Sequence, residues 1–162
     1  MDVRSLAVLL SLSTSIACAP DRHGDLRTQV VVEQEDGHPR VTYRGAAVGM
    51  DVAAAFAALG ERPDPVWGGA WLVREREADF GTRLDVMFTS GPGHVVTTLP
   101  LVYVGNPIAI GKVRDRWMDV LGLAGQDCDG GCYRDDGDTR VASIRRARGW
   151  TGKDELTVTL YR

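Results

Sequence analysis

An internal echo constrains this chain more than any other feature. Val48-Gly49-Met50 is followed after nine residues by Leu59-Gly60, and Ile110-Gly111-Lys112 is followed at the same interval by Leu121-Gly122. Each copy is preceded by a Tyr-x-Gly element, Tyr43-Arg44-Gly45 and Tyr103-Val104-Gly105, and Gly49 and Gly111 stand 62 residues apart. A solenoid needs at least about three repeats to bury its faces, so two copies point to a duplicated unit. The expected fold is α+β, built from two tandem helix-plus-antiparallel-sheet units at residues 28–102 and 103–162.

The local signals agree with that plan. Asp51 can cap an alanine-rich helix over Val52–Leu59, where Val52, Phe56 and Leu59 share one face and Gly60 supplies the stop. A second helix is predicted over Val113–Leu121, with Val113, Trp117, Val120 and Leu121 on its stripe and Gly122 beyond it. The β-branched runs Thr28–Gln34 and Arg40–Tyr43 flank Asp36-Gly37, a hairpin signal. Further strands are expected at Trp71–Arg76, Arg83–Thr89, Val95–Val104, Arg140–Arg146 and Leu156–Tyr161.

Before the first unit lies a different kind of sequence. Arg4 is followed by 13 largely apolar residues, Ser5–Ala17, too few for the roughly 20 that a spanning helix needs. The segment 1–17 therefore reads as a signal peptide. Its end, Ser15-Ile16-Ala17-Cys18, resembles the bacterial lipobox, which implies a lipid on Cys18 and cleavage before it. Simple secretion by cleavage after Ala17-Cys18-Ala19 is the alternative, and an uncleaved N-terminus is a third. Residues 18–27 are polar, carry Pro20 and Gly24, and are expected to form a flexible tether.

The remaining cysteines fit an exported chain. With Cys18 assigned to lipid, Cys128 and Cys132 form an even pair in Cys-Asp-Gly-Gly-Cys, and oxidising surroundings favour a bond between them. No metal is expected: His23, His38 and His94 are scattered, without zinc-ligand spacing. The acidic stretch Asp127–Asp138 invites comparison with an EF-hand, but Gly131 stands at its fifth position and Cys132 at its sixth, which excludes the regular loop. An irregular calcium site stays open beside the plainer reading of a solvated, disulfide-pinned loop.

Gly49-Met50-Asp51, Leu59-Gly60 and Pro63 resemble the Gly-Met-Thr … Leu-Gly-x-Pro signature of the SmpA/BamE outer-membrane lipoproteins and the related fold of secreted β-lactamase-inhibitor proteins. Asp51 replaces the capping Thr, and Pro63 lies one residue late. The resemblance implies small helix-plus-sheet modules that bind other proteins, and two in tandem are similar to the inhibitor arrangement.

Function classes narrow by elimination. Nineteen Lys and Arg against 22 Asp and Glu give a net charge of −3, without the basic excess expected of a nucleic-acid binder. Hydrophobic residues at 44% and charged residues at 25% exclude a disordered tail and a polytopic membrane protein. Nucleophile elbow, phosphate loop and zinc-protease motifs are missing, so no catalytic residue and no cofactor are assigned. His94 reads as a solvated loop residue, and Glu75, Glu77 and Asp79 alternate with Arg74 and Arg76 as a mixed-charge edge. Arg140, Arg145, Arg146 and Arg148 either balance nearby aspartates or recognise an acidic partner surface.

Period-two alternation then selects a working surface. Leu84, Val86 and Phe88, with Leu156, Val158 and Leu160, are expected to be core, which turns Arg83, Asp85, Met87, Thr157, Thr159 and Tyr161 outward. Trp117 and Trp71 belong to the core, whereas Trp67 and Trp150 sit among Gly and Pro as further interface candidates. The expectation is a lipid-anchored envelope binding module without catalysis that meets an unknown envelope protein and faces the periplasm from the outer membrane. If unlipidated it would be secreted or periplasmic. An envelope enzyme working through Asp and Glu, and a purely structural envelope lipoprotein, are the alternatives.

Overall fold

A computed structural model describes residues 25–60, 64–66, 70–128, 131–148 and 152–162. Its elements in chain order are α1 (Leu26–Gln29), β1 (Val30–Glu35), β2 (His38–Tyr43), α2 (Val52–Leu59), β3 (Asp64–Val66), β4 (Ala70–Ala78), β5 (Thr82–Ser90), β6 (Val96–Gly105), α3 (Pro107–Val120), β7 (Cys132–Asp136), β8 (Thr139–Arg148) and β9 (Asp154–Leu160). The fold is α+β. β1 and β2 form a two-stranded sheet, and the other strands form one seven-stranded antiparallel sheet in the order β3-β4-β5-β6-β9-β8-β7.

α2 and α3 are each followed by an antiparallel meander, and the last strands of the two meanders, β6 and β9, pair at the centre of the sheet. The division expected between residues 102 and 103 falls inside β6, which is paired on both edges. The chain passes from sheet to helix at Asn106 instead, where the side chain accepts a hydrogen bond from the Ala109 N–H at 2.9 Å and Pro107 occupies the first turn. α3 therefore begins six residues before the predicted Val113. Gly49 lies before its helix at φ 90°, whereas Gly111 lies inside α3, so the leading glycines of the echo occupy different conformations. The trailing glycines do match: Gly60 and Gly122 both follow their helices in the left-handed region, at φ 68° and 70°.

The Asp36-Gly37 hairpin forms as expected, with φ 53° and 83° at the turn and Glu35 opposite His38. Its first strand is shorter than predicted, because Thr28 and Gln29 belong to α1. The end of the expected tether is also part of the fold. Leu26 is 2% exposed in the core, Arg116 reaches the Asp25 carboxylate at 2.7 Å, and Arg27 pairs with Asp119 through an Nε contact of 3.1 Å. The backbone N–H of Arg27, and then the Arg116 guanidinium, hold the Asp25 carboxyl below its ordinary pKa.

One face of the large sheet carries nearly the whole core. Leu84, Val86, Phe88, Leu156, Val158 and Leu160 are all buried, as the alternation predicts. α2 covers this face through Phe56, which meets Trp71 and Phe88 edge-on at centroid distances of 5.6 and 4.8 Å. α3 covers it through Trp117, whose indole N–H donates to the Tyr103 hydroxyl at 3.2 Å and so leaves neither buried polar group unpaired. The β1–β2 hairpin joins the same layer, with Tyr43 6.3 Å from the Trp117 ring.

Candidate functional site

Among the described residues, no helix covers the opposite face of the seven-stranded sheet. Register places its side chains in rows that run across the strands. In one row Leu72 stands opposite Met87, Pro100 opposite Thr159, Thr159 opposite Ser143 and Ser143 opposite Tyr133. In the next row Arg74 stands opposite Asp85, Asp85 opposite Val102, Val102 opposite Thr157 and Thr157 opposite Arg145. With strands about 4.8 Å apart and about 3.3 Å per residue, the face measures roughly 30 by 25 Å, about 750 Å². A standard protein interface covers about 800 Å² on each partner, so the face is of comparable size.

Met87, Thr157, Thr159 and Tyr161 are half-buried and Arg83 is exposed, all on this face as the alternation required. Met87 and Tyr161 lie on β5 and at the end of β9, with only β6 between those strands. The Tyr161 hydroxyl is 3.3 Å from the Ser143 hydroxyl, which ties its ring to β8. Asp85 is held by Arg74 at 3.3 Å and by Arg83 at 3.2 Å, so one carboxylate is shared by two guanidinium groups and this flank keeps a net positive charge. Trp67 and Trp150, along with Cys18, His23 and the side chains of Glu75 and Glu77, lie outside the described residues.

The centre of the face holds a residue that sheets ordinarily exclude. Pro100 sits in β6, an interior strand, and has no N–H to return to β5. The β5–β6 ladder accordingly passes from Val86↔Leu101 to Thr89↔Thr98, with no paired position at Met87 or Phe88. Met87 on β5 and Pro100 on β6 occupy this gap in the register, with Leu72 opposite Met87 on β4 and Val102 two residues along from Pro100. Sequence reasoning missed Leu72, Pro100, Val102, Ser143 and Arg145 on this face. The signal was present for β6, where Leu99, Leu101 and Tyr103 alternate with Pro100 and Val102.

Other sequence candidates are dispersed. His94 is exposed at φ 58° in the short turn before β6. His38 pairs with Asp136 at 3.0 Å and joins the first hairpin to the β7–β8 hairpin, beside a cleft of about 270 Å³ lined by Val41, Val48, Val141 and Arg162. The Arg40 Nε is buried in that region without a hydrogen-bond partner. Cys128 and Cys132 form the expected disulfide, with Cα atoms 5.2 Å apart. The acidic stretch is half strand rather than loop: Cys132–Asp136 pairs with β8, Asp135 meets Arg140 at 3.2 Å and Asp136 meets His38. Among the described residues no group of three or more His, Cys, Asp or Glu could hold a metal ion. The arginine cluster divides, because Arg140 lies over the Tyr133 ring at 3.9 Å, Arg145 points to the uncovered face, and Arg146 and Arg148 lie on the helix side.

Comparison with protein-family models, curated proteins and solved structures finds no match. No helix among the described residues is long and apolar enough to cross a membrane.

Proposed function

We propose that this protein is a lipid-anchored bacterial envelope module that binds another envelope protein through the uncovered face of its seven-stranded sheet and performs no catalysis. The observation that carries this reading is the face itself, where Leu72, Met87, Pro100 and Val102 form an apolar centre within a rim of Arg74, Arg83, Arg145 and Glu155. An apolar centre within a polar rim is the ordinary anatomy of a recognition surface. The helix-then-meander order repeated around β6 and β9 supports an inhibitor-like tandem arrangement, in which both halves contribute to one binding face. The short apolar segment ending in Ala17-Cys18 supports export and lipidation, which would hold the module at the outer membrane facing the periplasm.

The double variant Met87→Asp with Tyr161→Asp tests the reading. Both side chains are half-buried on the uncovered side and the Tyr161 hydroxyl meets Ser143, so the double variant should lose about 1–3 kcal/mol of stability yet remain folded. Capture of the partner from envelope extracts should be lost. Full capture by the folded variant removes this face from the function.

A further inference from the structure

We infer that a second site, independent of the sheet face, binds a phosphate-type oxyanion in the cavity between α3, β8 and the disulfide. The cavity holds about 430 Å³ and its described lining includes three arginines, Arg114, Arg146 and Arg148, with the Cys128–Cys132 bridge at its wall. Its volume falls within the roughly 300–1,000 Å³ range of small-molecule sites.

The charge balance points to an anion. Asp154 is the only carboxylate among the described lining residues, it is buried, and it is committed to Arg146, whose Nε donates to it at 2.9 Å. Arg146 also donates to the Pro107 carbonyl at 3.3 Å, which fixes its plane against the start of α3. Arg114 leans on Asp115 of its own helix at 2.8 Å, and that carboxylate is exposed outside the cavity. Arg148 makes no ion pair with any described residue. Among the described residues, three arginines thus line one half-open space whose single carboxylate is already engaged by Arg146.

The disulfide braces the described part of the wall. A Cβ at Gly131 would lie 3.4 Å from the Ile144 carbonyl, at van der Waals contact, and the bridge ties Cys128 to the first residue of β7. Guanidinium groups match tetrahedral oxyanions through paired N–H donors, and three of them around one space favour a doubly charged phosphate over a carboxylate. The cavity is larger than a bare phosphate, so the ligand class is a phosphate monoester, presented either by a small metabolite or by a lipid headgroup.

The test is titration calorimetry on the oxidised protein at constant ionic strength, with inorganic phosphate, glycerol 3-phosphate and acetate as probes, together with sedimentation with phosphatidic acid vesicles. Glycerol 3-phosphate should bind at least tenfold more tightly than acetate, with inorganic phosphate between them. Arg148→Gln and Arg114→Gln should each weaken glycerol 3-phosphate at least tenfold, while Arg145→Gln on the opposite face should leave it unchanged. Reduction of the disulfide should also weaken it. Binding of glycerol 3-phosphate in solution supports a free monoester, and vesicle binding that Arg148→Gln abolishes supports a headgroup. Equal affinity for acetate, or binding that survives both cavity variants, or equal loss in Arg145→Gln, overturns the proposal.

Discussion

The two glycines that begin the sequence echo should respond to alanine with opposite signs. Gly111 lies in the interior of α3 with a helical backbone, and a Cβ built there meets nothing within 4 Å. Gly111→Ala therefore removes the helix penalty of glycine without a clash and should stabilise the protein by about 0.5–1 kcal/mol. Gly49 is held at φ 90° by its N–H, which donates to the Val96 carbonyl at 2.8 Å, and the next residue accepts from the Val96 N–H at 2.8 Å. That pinned backbone has little room to relax. The added Cβ would also sit 3.5 Å from the Arg162 side chain, which is ordinary contact, so conformational strain sets the cost at about 1–2 kcal/mol. Urea unfolding of the oxidised protein, with the wild type and both variants sharing one m-value, should give a spread of about 1.5–3 kcal/mol between the two alanines. Stabilisation or destabilisation by both would show that the echoed glycines are conformationally equivalent and that the placement of α3 is wrong.

Three further outcomes follow from local features. Phe80 occupies the first central position of the Asp79–Thr82 turn at φ 57°, a conformation that suits Asn before Gly81, and its contacts to Lys112 and Arg116 at 5.5 and 5.9 Å lie near the outer limit of cation–π attraction. Phe80→Asn should therefore raise stability by about 0.5 kcal/mol in urea unfolding, and a loss would mean those cation contacts outweigh the backbone strain. Because the Asp25 carboxyl titrates below its ordinary value in the folded chain, its link to α1 and Arg116 is fully present at neutral pH and is lost as pH falls through that lowered value. Amide exchange at Thr28 and Gln29 should accelerate in acid before the central strands do, and Asp25→Asn should abolish that early step. Cys18→Ser should move the protein from the membrane to the soluble fraction of cells, whereas soluble wild-type protein beginning at Ala19 or Pro20 would rule out lipidation.

The parts of the fold legible in the sequence are those where one local rule acted alone. Strict alternation in Arg83–Thr89 and Leu156–Tyr161 assigned both faces of β5 and β9, because a residue either packs under the helices or does not. Asp36-Gly37 fixed its hairpin through the left-handed backbone those residues tolerate. β7 stayed hidden because Tyr133-Arg134-Asp135-Asp136 has the composition of a loop, and it becomes a strand through pairing with β8 and the Arg134 bond to the Leu121 carbonyl at 2.9 Å. The first turns of α3 were obscured by Gly111, a poor helix former that the echo placed before the helix, although Asn106-Pro107 carries the start signal. Leu26 read as tether because its surroundings are polar, and its burial depends on packing between distant elements. On the candidate face, Met87 and Tyr161 were accessible to alternation, whereas Arg145 and Ser143 join them only through the β8–β9 register.

Site-specific photo-crosslinking in living cells tests the central claim most directly. A photoreactive residue would be placed at Thr157, in the middle of the uncovered face, and in parallel at Lys112, on the exposed side of α3. If the sheet face binds an envelope protein, irradiation should yield one discrete adduct from position 157, no adduct from position 112, and loss of the 157 adduct when Met87→Asp is added. An adduct from position 112 alone, or a 157 adduct that Met87→Asp leaves intact, would contradict the account.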